Sequence, residues 1–448
     1  PAEFYQAKTD QNGNYVFHHV IPGDYQIYLG FHYDQIDGFT WNVDLDDWLI
    51  IDGTEEITYD IMLAPLMEIY EPANEAVITS DELVFRWEPV DGAAYYQLNL
   101  NVEADGTTYG FPLGETVEEH QLTLPIETIY NVASMAIYSK EDIEYDFFDP
   151  MSLLGFENPN GRYSWNVQAY DAEGNLLTRS NGYRLGKDKI GNVPTMYLKQ
   201  RKLTQEDELL LDRKVEEALQ GYLENVEKDP TDTHSLRMIT RLIGIQVEAD
   251  IHGLPDFDKV DRLRLPYIKQ LAELTDDMKY HSEVLYHYYS EKDWENYQNW
   301  LEQHIPPENM DESPYMKAIH ANALMFQGEY EEAAALHKEA LEIGGYHDFI
   351  GELLALEMFL GTDMEKVLEL SQEYPFVQYV TGEEGASKWI TIIREIKKKS
   401  EEDEAVMENL REGLEYYFTG NETALEQWKQ ETEVSAFLMV IKMLEDNQ

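Results

Sequence analysis

The sequence predicts a multidomain chain: two all-β sandwiches on the N-terminal side, followed by an all-α helical-repeat solenoid. Three observations lead to this fold class. Before about residue 195, short β-type runs are broken by Gly, Asn, Asp and Pro, as in strands joined by turns. After residue 199, apolar residues follow the helical spacing i, i+3, i+4 and i+7. Between them, residues 186–198 open with a polar run holding two Gly and a Pro, which predicts a linker.

The composition is that of a strongly acidic but folded chain. Its 448 residues include 33 Lys and Arg against 88 Asp and Glu, a formal net charge of −55. Nucleic-acid binding needs basic residues that neutralise phosphates, so this balance argues against it. Binding to an anionic membrane surface is disfavoured for the same reason. With 43% hydrophobic and 12% aromatic residues, the chain is too apolar to be a disordered acidic tail.

The sequence also excludes some chemistry and topology. Disulfides, thiol catalysis and thiolate zinc sites all require cysteine, and the chain has none. No run of about 18 apolar residues occurs, so we predict no transmembrane segment. The first residues resemble the interior of a domain, and we therefore expect further sequence upstream, including a secretion signal.

Residues 1–65 carry two turn signals, each followed by alternating apolar residues. The Asn-Gly pair at 12–13 suits a turn that needs positive φ, and Tyr15 and Phe17 then alternate as in a strand. The Pro-Gly pair at 22–23 predicts a second turn. The buried face of the next predicted strand consists of Tyr25, Ile27 and Leu29.

The pattern Thr-Asp-x-x-Gly-x-Tyr-x-Phe from Thr9, with Val-x-Pro-Gly-x-Tyr from Val20, resembles the carboxypeptidase regulatory-like domains. The resemblance implies a small transthyretin-like β-sandwich over residues 1–65, and no peptidase domain accompanies it here. The opening strands of that family should precede Thr9, where only eight residues stand. We therefore expect this domain to be N-terminally incomplete.

Residues 66–185 contain two strand patterns that each carry a tryptophan. Alternation places these residues on two buried strand faces: Leu83, Phe85 and Trp87; and Tyr163, Trp165, Val167 and Ala169. The segment resembles a bacterial fibronectin type III-like sandwich, which implies that Trp87 and Trp165 pack between two sheets. Residues 126–157 exceed the short connection that this pattern needs. We predict an insertion there, and functional and packing roles both remain open.

Residues 199–448 repeat helical patterns with a period of about 34 residues. Residues 314–347 resemble a tetratricopeptide repeat, whose motif positions fall on Ala321, Gly328, Tyr330, Ala333 and Ala340. Weaker copies place turns near residues 292–294, 363–364 and 420–422. The resemblance implies a tetratricopeptide-like α-solenoid of about six or seven hairpins. The run at 397–403 further predicts a helix boundary, with Ser400 as the cap of the next helix.

No catalytic motif emerges, so we predict that the chain is not an enzyme. The nucleophile elbow, the zinc-protease helix, the phosphate loop and the dinucleotide fingerprint are all missing. Calcium is the candidate cofactor, because hard cations need several oxygen ligands, and solvated loops are the alternative. The candidate metal ligands are Asp34, Asp37, Asp44, Asp46 and Asp47.

One predicted hairpin concentrates aromatic residues, and core packing and partner binding are both open for them. Core packing accounts for most of these residues, but a solenoid offers a groove for peptides or helices, so this group is the better binding candidate of the two aromatic groups in the sequence. The candidate partner-binding residues are Tyr286, Tyr289, Trp294, Tyr297 and Trp300. A second aromatic group that could stack on sugars consists of Phe31, Tyr33, Phe39, Trp41 and Trp48.

Modules of these kinds commonly occur in secreted or surface-attached bacterial proteins. We therefore predict an extracellular or cell-surface protein that mediates protein–protein interaction or scaffolding through its helical repeats. Its partner would be a protein or peptide, and nucleic acid is not expected. Three alternatives remain open. One is a subunit that self-assembles into an extracellular fibre or surface layer through an open edge of the first sandwich. Another is a glycan-binding accessory protein. The last is a hydrolase of an unfamiliar kind, which no group of residues in the sequence supports.

Overall fold

A computed structural model of the chain describes residues 5–41, 49–51, 57–104, 107–132, 149–186, 190–247, 256–307, 313–343, 349–379, 386–402 and 405–447. A β-sheet region, over roughly residues 39–200, is followed by a helical region, as the sequence predicts. The chain divides into two compact units, Pro1–Asp277 and Met278–Gln448. The first unit therefore contains both the sheets and the first helices that follow them. The predicted domain boundaries remain predictions.

Most strands belong to the first unit. In chain order over the described residues they are β1 (Gly23–Tyr25), β2 (Phe39–Trp41), β3 (Leu49–Ile51), β4 (Leu63–Pro65), β5 (Ile69–Glu71), β6 (Ala76–Ile78), β7 (Glu82–Trp87), β8 (Tyr95–Ala104), β9 (Thr107–Val117), β10 (Gln121–Pro125), β11 (Tyr163–Tyr170), β12 (Leu176–Arg179), β13 (Thr195–Leu198), β14 (Val377–Tyr379) and β15 (Ala386–Lys388).

Two sheets form the main β core. One has the order β5–β7–β10, and the other has the order β6–β13–β11–β8–β9, with β12 paired to β11. Side chains from both sheets share one buried cluster. Trp87 and Trp165 lie inside it, fully buried, with ring centroids 6.3 Å apart. The prediction that these two residues are core residues is confirmed.

The predicted linker, residues 186–198, contributes to the larger sheet. Its last four residues form β13, which runs parallel to β6 and antiparallel to β11. The sheet therefore continues to Leu198. Just before the linker, the Tyr183 carbonyl accepts the backbone N–H of Gly38 at 2.8 Å. This contact fastens the first 65 residues to the larger sheet region.

Residues 5–65 contain short strand pairs, β1 with β3 and β2 with β4. The predicted turn at 12–13 is present: Gly13 has φ +86°, and the Asp10 carboxylate accepts the backbone N–H of Asn14 at 3.0 Å. The strand expected through Tyr15 is absent, because no described strand pairs with this segment. The Tyr15 hydroxyl instead donates to the carbonyl of Tyr59 at 2.5 Å.

Helices begin in the predicted insertion. In chain order over the described residues they are α1 (Ile126–Val132), α2 (Pro150–Leu154), α3 (Gln205–Leu211), α4 (Val215–Lys228), α5 (Thr233–Leu242), α6 (Phe257–Thr275), α7 (Met278–Ser290), α8 (Trp294–His304), α9 (Pro314–Phe326), α10 (Tyr330–Ile343), α11 (Ile350–Leu360), α12 (Met364–Glu373), α13 (Trp389–Glu402), α14 (Val406–Phe418), α15 (Glu422–Glu431) and α16 (Ser435–Glu445). Of the helices described, none has the length and apolar character to cross a membrane.

The turns predicted between paired helices lie where the sequence signals put them. Asp293, Asp363 and Asn421 each accept a backbone N–H with the side chain and so cap α8, α12 and α15. Gly328 separates α9 from α10 with φ +87°, a conformation that favours glycine. Local capping chemistry thus fixed these helix ends.

A helix does end within the run 397–403, at Glu402, but the cap predicted at Ser400 is wrong, because α13 continues through this residue. Lys397 forms an ion pair with Glu401 one turn later, at 2.7 Å, which supports the helix across this run. The Ser400 hydroxyl donates to the carbonyl of Lys397 at 2.8 Å, so it bonds within the helix instead of capping a new one.

In the second unit, helices far apart in sequence share one core. The rings of Phe326 on α9 and Tyr417 on α14 are 6.0 Å apart, and those of Tyr330 and Phe418 are 5.6 Å apart. Residues from α9 to α16 contribute to this cluster. The C-terminal helices therefore return to the hairpin α9–α10.

Candidate functional site

The acidic residues predicted to bind calcium fall into two groups. Asp34 and Asp37 are described, and the Asp37 carboxylate accepts the backbone N–H of Leu185 at 2.7 Å. The other three lie outside the described residues: Asp44, Asp46 and Asp47. Over the described ranges, no group of three or more His, Asp or Glu is placed to hold a metal ion. The calcium site stays a prediction.

The second aromatic group, on which the glycan alternative depends, is partly engaged in packing. The rings of Phe31 and Trp41 stack, with centroids 6.2 Å apart and planes 24° apart. Tyr33 packs on Tyr183, with centroids 5.0 Å apart. Trp48 lies outside the described residues. These contacts leave the glycan alternative untested.

Three of the five predicted partner-binding residues pack within the helical core. Tyr297 is fully buried. Trp294 stacks on Phe326, with ring centroids 6.1 Å apart and planes 13° apart. Trp300 donates its Nε1–H to the carbonyl of His281 at 3.2 Å. Much of the area of these rings is therefore used to hold α7 and α8 against their neighbours.

The other two predicted residues, Tyr286 and Tyr289, belong to what we call the tyrosine surface, together with Tyr315 and Phe349. These residues come from α7, α9 and the residue before α11, the first helices of three successive hairpins. Tyr286 is 43% exposed and its ring lies 6.0 Å from that of Tyr289. Tyr315 is 40% exposed and its ring lies 5.9 Å from that of Phe349. Each exposed ring is thus supported by a more buried one.

Buried polar groups hold Tyr289 in place. The Nε2 of His337 lies 2.9 Å from the Oδ1 of Asn322, and the Asn322 side chain hydrogen-bonds Tyr289. Since an amide oxygen can only accept, His337 donates through Nε2, where its proton sits. Burial lowers the pKa of His337 to about 3, so its ring is neutral at pH 7. Burial and then the Glu352 carboxylate raise the pKa of Tyr289.

The second site is a buried cluster of charges where the predicted insertion meets α3 and α5. Glu157 ends a 3₁₀ turn, Gly155–Glu157, and Asp207 lies in the first turn of α3. Three basic side chains come from α5 at the spacing i, i+3 and i+7, which places them on one face. We call the following residues the charge cluster: Glu157, Arg201, Asp207, His234, Arg237 and Arg241.

Glu157 is the centre of the charge cluster. Its fully buried carboxylate accepts Arg237 Nε at 3.0 Å and Arg241 Nη1 at 3.3 Å through Oε1. Its Oε2 lies 2.7 Å from His234 Nδ1. Burial alone would raise the pKa of Glu157, but the surrounding cations outweigh it and hold that pKa well below its usual range. The carboxylate is therefore charged at all ordinary pH values.

His234 bridges two carboxylates. Its Nδ1 faces Glu157, and its Nε2 lies 2.8 Å from Asp207 Oδ1, so both ring nitrogens act as donors. Burial lowers the pKa of His234, and Arg201, with Nη2 2.9 Å from Nε2, opposes its protonation. The two carboxylates outweigh both effects and raise the pKa above 6.5. The Tyr222 hydroxyl also donates to Asp207, at 2.6 Å.

Arg237 and Arg241, on α5, also bond residues of the insertion other than Glu157. Arg241 donates to the carbonyl of Leu153 at 3.0 Å and to that of Tyr130 at 3.2 Å. Arg237 donates to Asn131 Oδ1 at 2.9 Å. Both ends of residues 126–157 are therefore bonded to the same face of one helix. The described parts of the insertion, residues 126–132 and 149–157, pack against the first helices, which favours the packing role left open by the sequence.

The ion pairs and hydrogen bonds of the charge cluster hold the insertion, α3 and α5 together. Within the described chain, none of its members has a buried side-chain N or O atom without a hydrogen-bond partner. A group whose donors and acceptors are all engaged inside the protein is poorly placed to bind a substrate. Removing one member of a buried pair instead leaves an uncompensated charge, at a cost of about 3–5 kcal/mol.

No member of the charge cluster is recognisable as a functional residue from the sequence. The available signal was the line of His234, Arg237 and Arg241 along α5. A basic helix face ordinarily indicates exposure to solvent, and only the packed structure shows these residues to be buried or nearly so. Their acidic partners stand far away in sequence, before and after β13.

Comparison with models of protein families, with curated proteins and with solved structures gave no match for this chain. No family is therefore assigned, and the resemblances given above remain predictions. The two sites rest on the chain's own geometry: the charge cluster is closed and internal, and the tyrosine surface has exposed rings.

Proposed function

We propose that this chain is a non-enzymatic binding protein, secreted or held at a cell surface, that docks a protein or peptide on its helical half. In this proposal, residues 1–65 and 66–198 are β-sandwich modules of the carboxypeptidase regulatory-like and fibronectin type III-like kinds. They act as spacers. The helices from about residue 199 are tetratricopeptide-like hairpins, and those of the second unit carry the docking surface.

Several features support the module assignments. The strand orders β5–β7–β10 and β6–β13–β11–β8–β9, around Trp87 and Trp165, suit two sheets that face each other. The hairpins α7–α8 and α9–α10, with short turns at Asp293 and Gly328, suit helical repeats. The charge cluster supports the spacer role, because it bonds the β-sheet region to the first helices within one compact unit.

The observation that carries the docking proposal is the exposure of Tyr286 and Tyr315. Large rings are costly to leave in water, and the helices of a folded core normally cover them. Here two tyrosines on the first helices of adjacent hairpins are more than a third exposed, and each packs on an aromatic neighbour that is less exposed. Rigid, half-exposed tyrosines are typical of residues that dominate binding to a protein partner.

Affinity capture with the full chain tests the proposal. The bait is compared with a Tyr286→Ser, Tyr315→Ser double variant and with Tyr70→Ser, which changes an exposed tyrosine of the β-sheet region. We expect specific partners to be retained by the wild type and by Tyr70→Ser and lost from the double variant. Identical capture by all three baits, at matched melting temperatures, would oppose docking on this surface. Detection of the native protein only inside cells would oppose the proposed location.

A second candidate function, self-assembly, is supported by exposed apolar side chains in the first 65 residues. They include Val16, Ile21, Tyr28, Tyr33, Met62 and Leu63. The described strands of this region are three residues long, and short strand pairs have edges to which another chain can add. Light scattering over a hundredfold range of concentration distinguishes the two functions. Polymers that grow with concentration favour self-assembly, and a constant monomer favours docking.

A further inference from the structure

We propose that the tyrosine surface recognises a cationic segment, with Lys or Arg side chains of the partner seated on the rings of Tyr286 and Tyr315. This inference rests on the proposed docking function and specifies the chemistry of the partner. It is carried by three features of the second unit: the supported and exposed rings, a buried carboxylate that acts on Tyr289, and the charge of the surrounding helices.

The rings provide the contact surface. Aromatic faces attract ammonium and guanidinium groups, most strongly when the ring is held in place and partly desolvated. Tyr286 packs on Tyr289 with planes 31° apart, and Tyr315 packs on Phe349 with planes 58° apart. Phe349 in turn lies 6.4 Å from the buried ring of His337. The exposed tyrosines are therefore backed by packed side chains.

A buried carboxylate acts on one residue of this surface, Tyr289. Glu352, in the first turn of α11, is only 2% exposed, and its Oε1 accepts Asn447 Nδ2 at 2.7 Å. Its charge contributes to the raised pKa of Tyr289, so its field reaches the tyrosine surface. A buried charge is screened less by salt than an exposed one, so it favours a cation placed on the tyrosine surface.

The surrounding charge selects the same kind of partner. Residues 278–448 contain 13 Lys and Arg against 36 Asp and Glu, a net of −23. The helices α7, α9 and α11 carry two lysines, Lys279 and Lys317. Lys317 is almost fully buried and pairs with Glu339 at 3.1 Å, so its charge is already compensated. An acidic segment would meet repulsion here, and a basic one would be attracted.

A library of random peptides is selected for binding to the full chain. The affinity of the selected peptides is then measured for the wild type and for point variants. We expect peptides rich in Lys and Arg, whose affinity falls as salt is added. Tyr286→Ala and Tyr315→Ala should each weaken binding about tenfold, because each removes one cation–aromatic contact. Tyr286→Phe keeps the ring face and should stay within about twofold of the wild type. Tyr70→Ala serves as the matched control, since it removes an exposed tyrosine elsewhere.

The outcomes separate this inference from the proposed function. If the selected peptides are neutral or apolar and bind both alanine variants more weakly than the wild type, the cationic preference is overturned and docking stands. Selected peptides that bind all variants equally would overturn both. Glu352→Gln tests the carboxylate separately, because it removes the charge while it keeps the side-chain shape and both exposed rings. Basic peptides should bind it more weakly at unchanged melting temperature, and unchanged affinity would remove the carboxylate from the proposal.

Discussion

The charge cluster contains His234, and His337 lies beside the tyrosine surface, and the pKa values of these two histidines are shifted in opposite directions. His234 contacts carboxylates through both nitrogens, which raises its pKa above 6.5. His337 contacts a neutral amide, and burial lowers its pKa to about 3. Burial disfavours the charged ring in both places, so the partner decides the result.

This difference explains what each region can do. In the charge cluster, cations and carboxylates pair with one another, and these internal ion pairs join the insertion to α5. Around the tyrosine surface, a neutral histidine–amide pair, His337 and Asn322, lies behind rings whose outer faces meet solvent. Closed polar networks stabilise a fold, and supported exposed rings are available to a partner.

The largest expected effect comes from removing the central charge of the charge cluster. Glu157→Gln keeps the side-chain shape but leaves Arg237, Arg241 and His234 around a neutral amide. We expect the free energy of unfolding of the first unit to fall by about 3–5 kcal/mol in urea denaturation. Glu127→Gln is the control, since this carboxylate also bonds Arg237 but is 55% exposed, and it should cost less than about 1 kcal/mol. Equal losses would show that burial does not set the strength of these pairs.

A smaller effect separates the tyrosines of the two regions. Tyr222→Phe removes the hydroxyl that donates to Asp207, and a lost hydrogen bond to a charged group costs about 1.5–3 kcal/mol. Tyr286→Phe removes a hydroxyl from an exposed ring and should change the free energy of unfolding by less than about 0.5 kcal/mol. Chemical denaturation of both variants checks the difference. A neutral Tyr222→Phe would contradict the proposed network.

The two histidines predict opposite responses to pH. The folded pKa of His234 is above 6.5, so its stabilising contribution is present below about 6.5 and is lost as pH rises through the folded value. The folded pKa of His337 is about 3, so its contribution is present above about 6.5 and declines as pH falls toward 3. Each changes the free energy of unfolding by at most about 1.4 kcal/mol per pH unit. NMR titration of the ring nitrogens checks both directions, and a His234 that titrates below 6.5 would contradict the first.

Calcium gives the smallest expected effect. If the predicted ligands around Asp34 and Asp37 bind the ion, calcium raises the melting temperature more than sodium does at matched ionic strength. Replacing both residues with Asn should remove the difference. An equal response to the two salts would leave only general screening of an acidic surface.

Local signals predicted much of the helical half. Caps at Asp293, Asp363 and Asn421, and the glycine at 328, mark helix ends because each acts on backbone groups within a few residues. The failure at Ser400 has the same origin: a Ser followed by acidic residues suits a cap, but an ion pair one turn apart supports the helix equally well.

The sequence by itself determined the order of sheet and helix regions, four of the turns between helices, and the choice of Trp87 and Trp165 as core residues. Periodicity and capping depend on residues that are close together in the chain, so they can be recognised from the sequence alone. Only the tertiary structure decided which charges are buried together and which aromatic rings stay exposed. Glu157 and His234 come from separate elements, and their pKa shifts arise only after packing removes water and brings them within 2.7 Å.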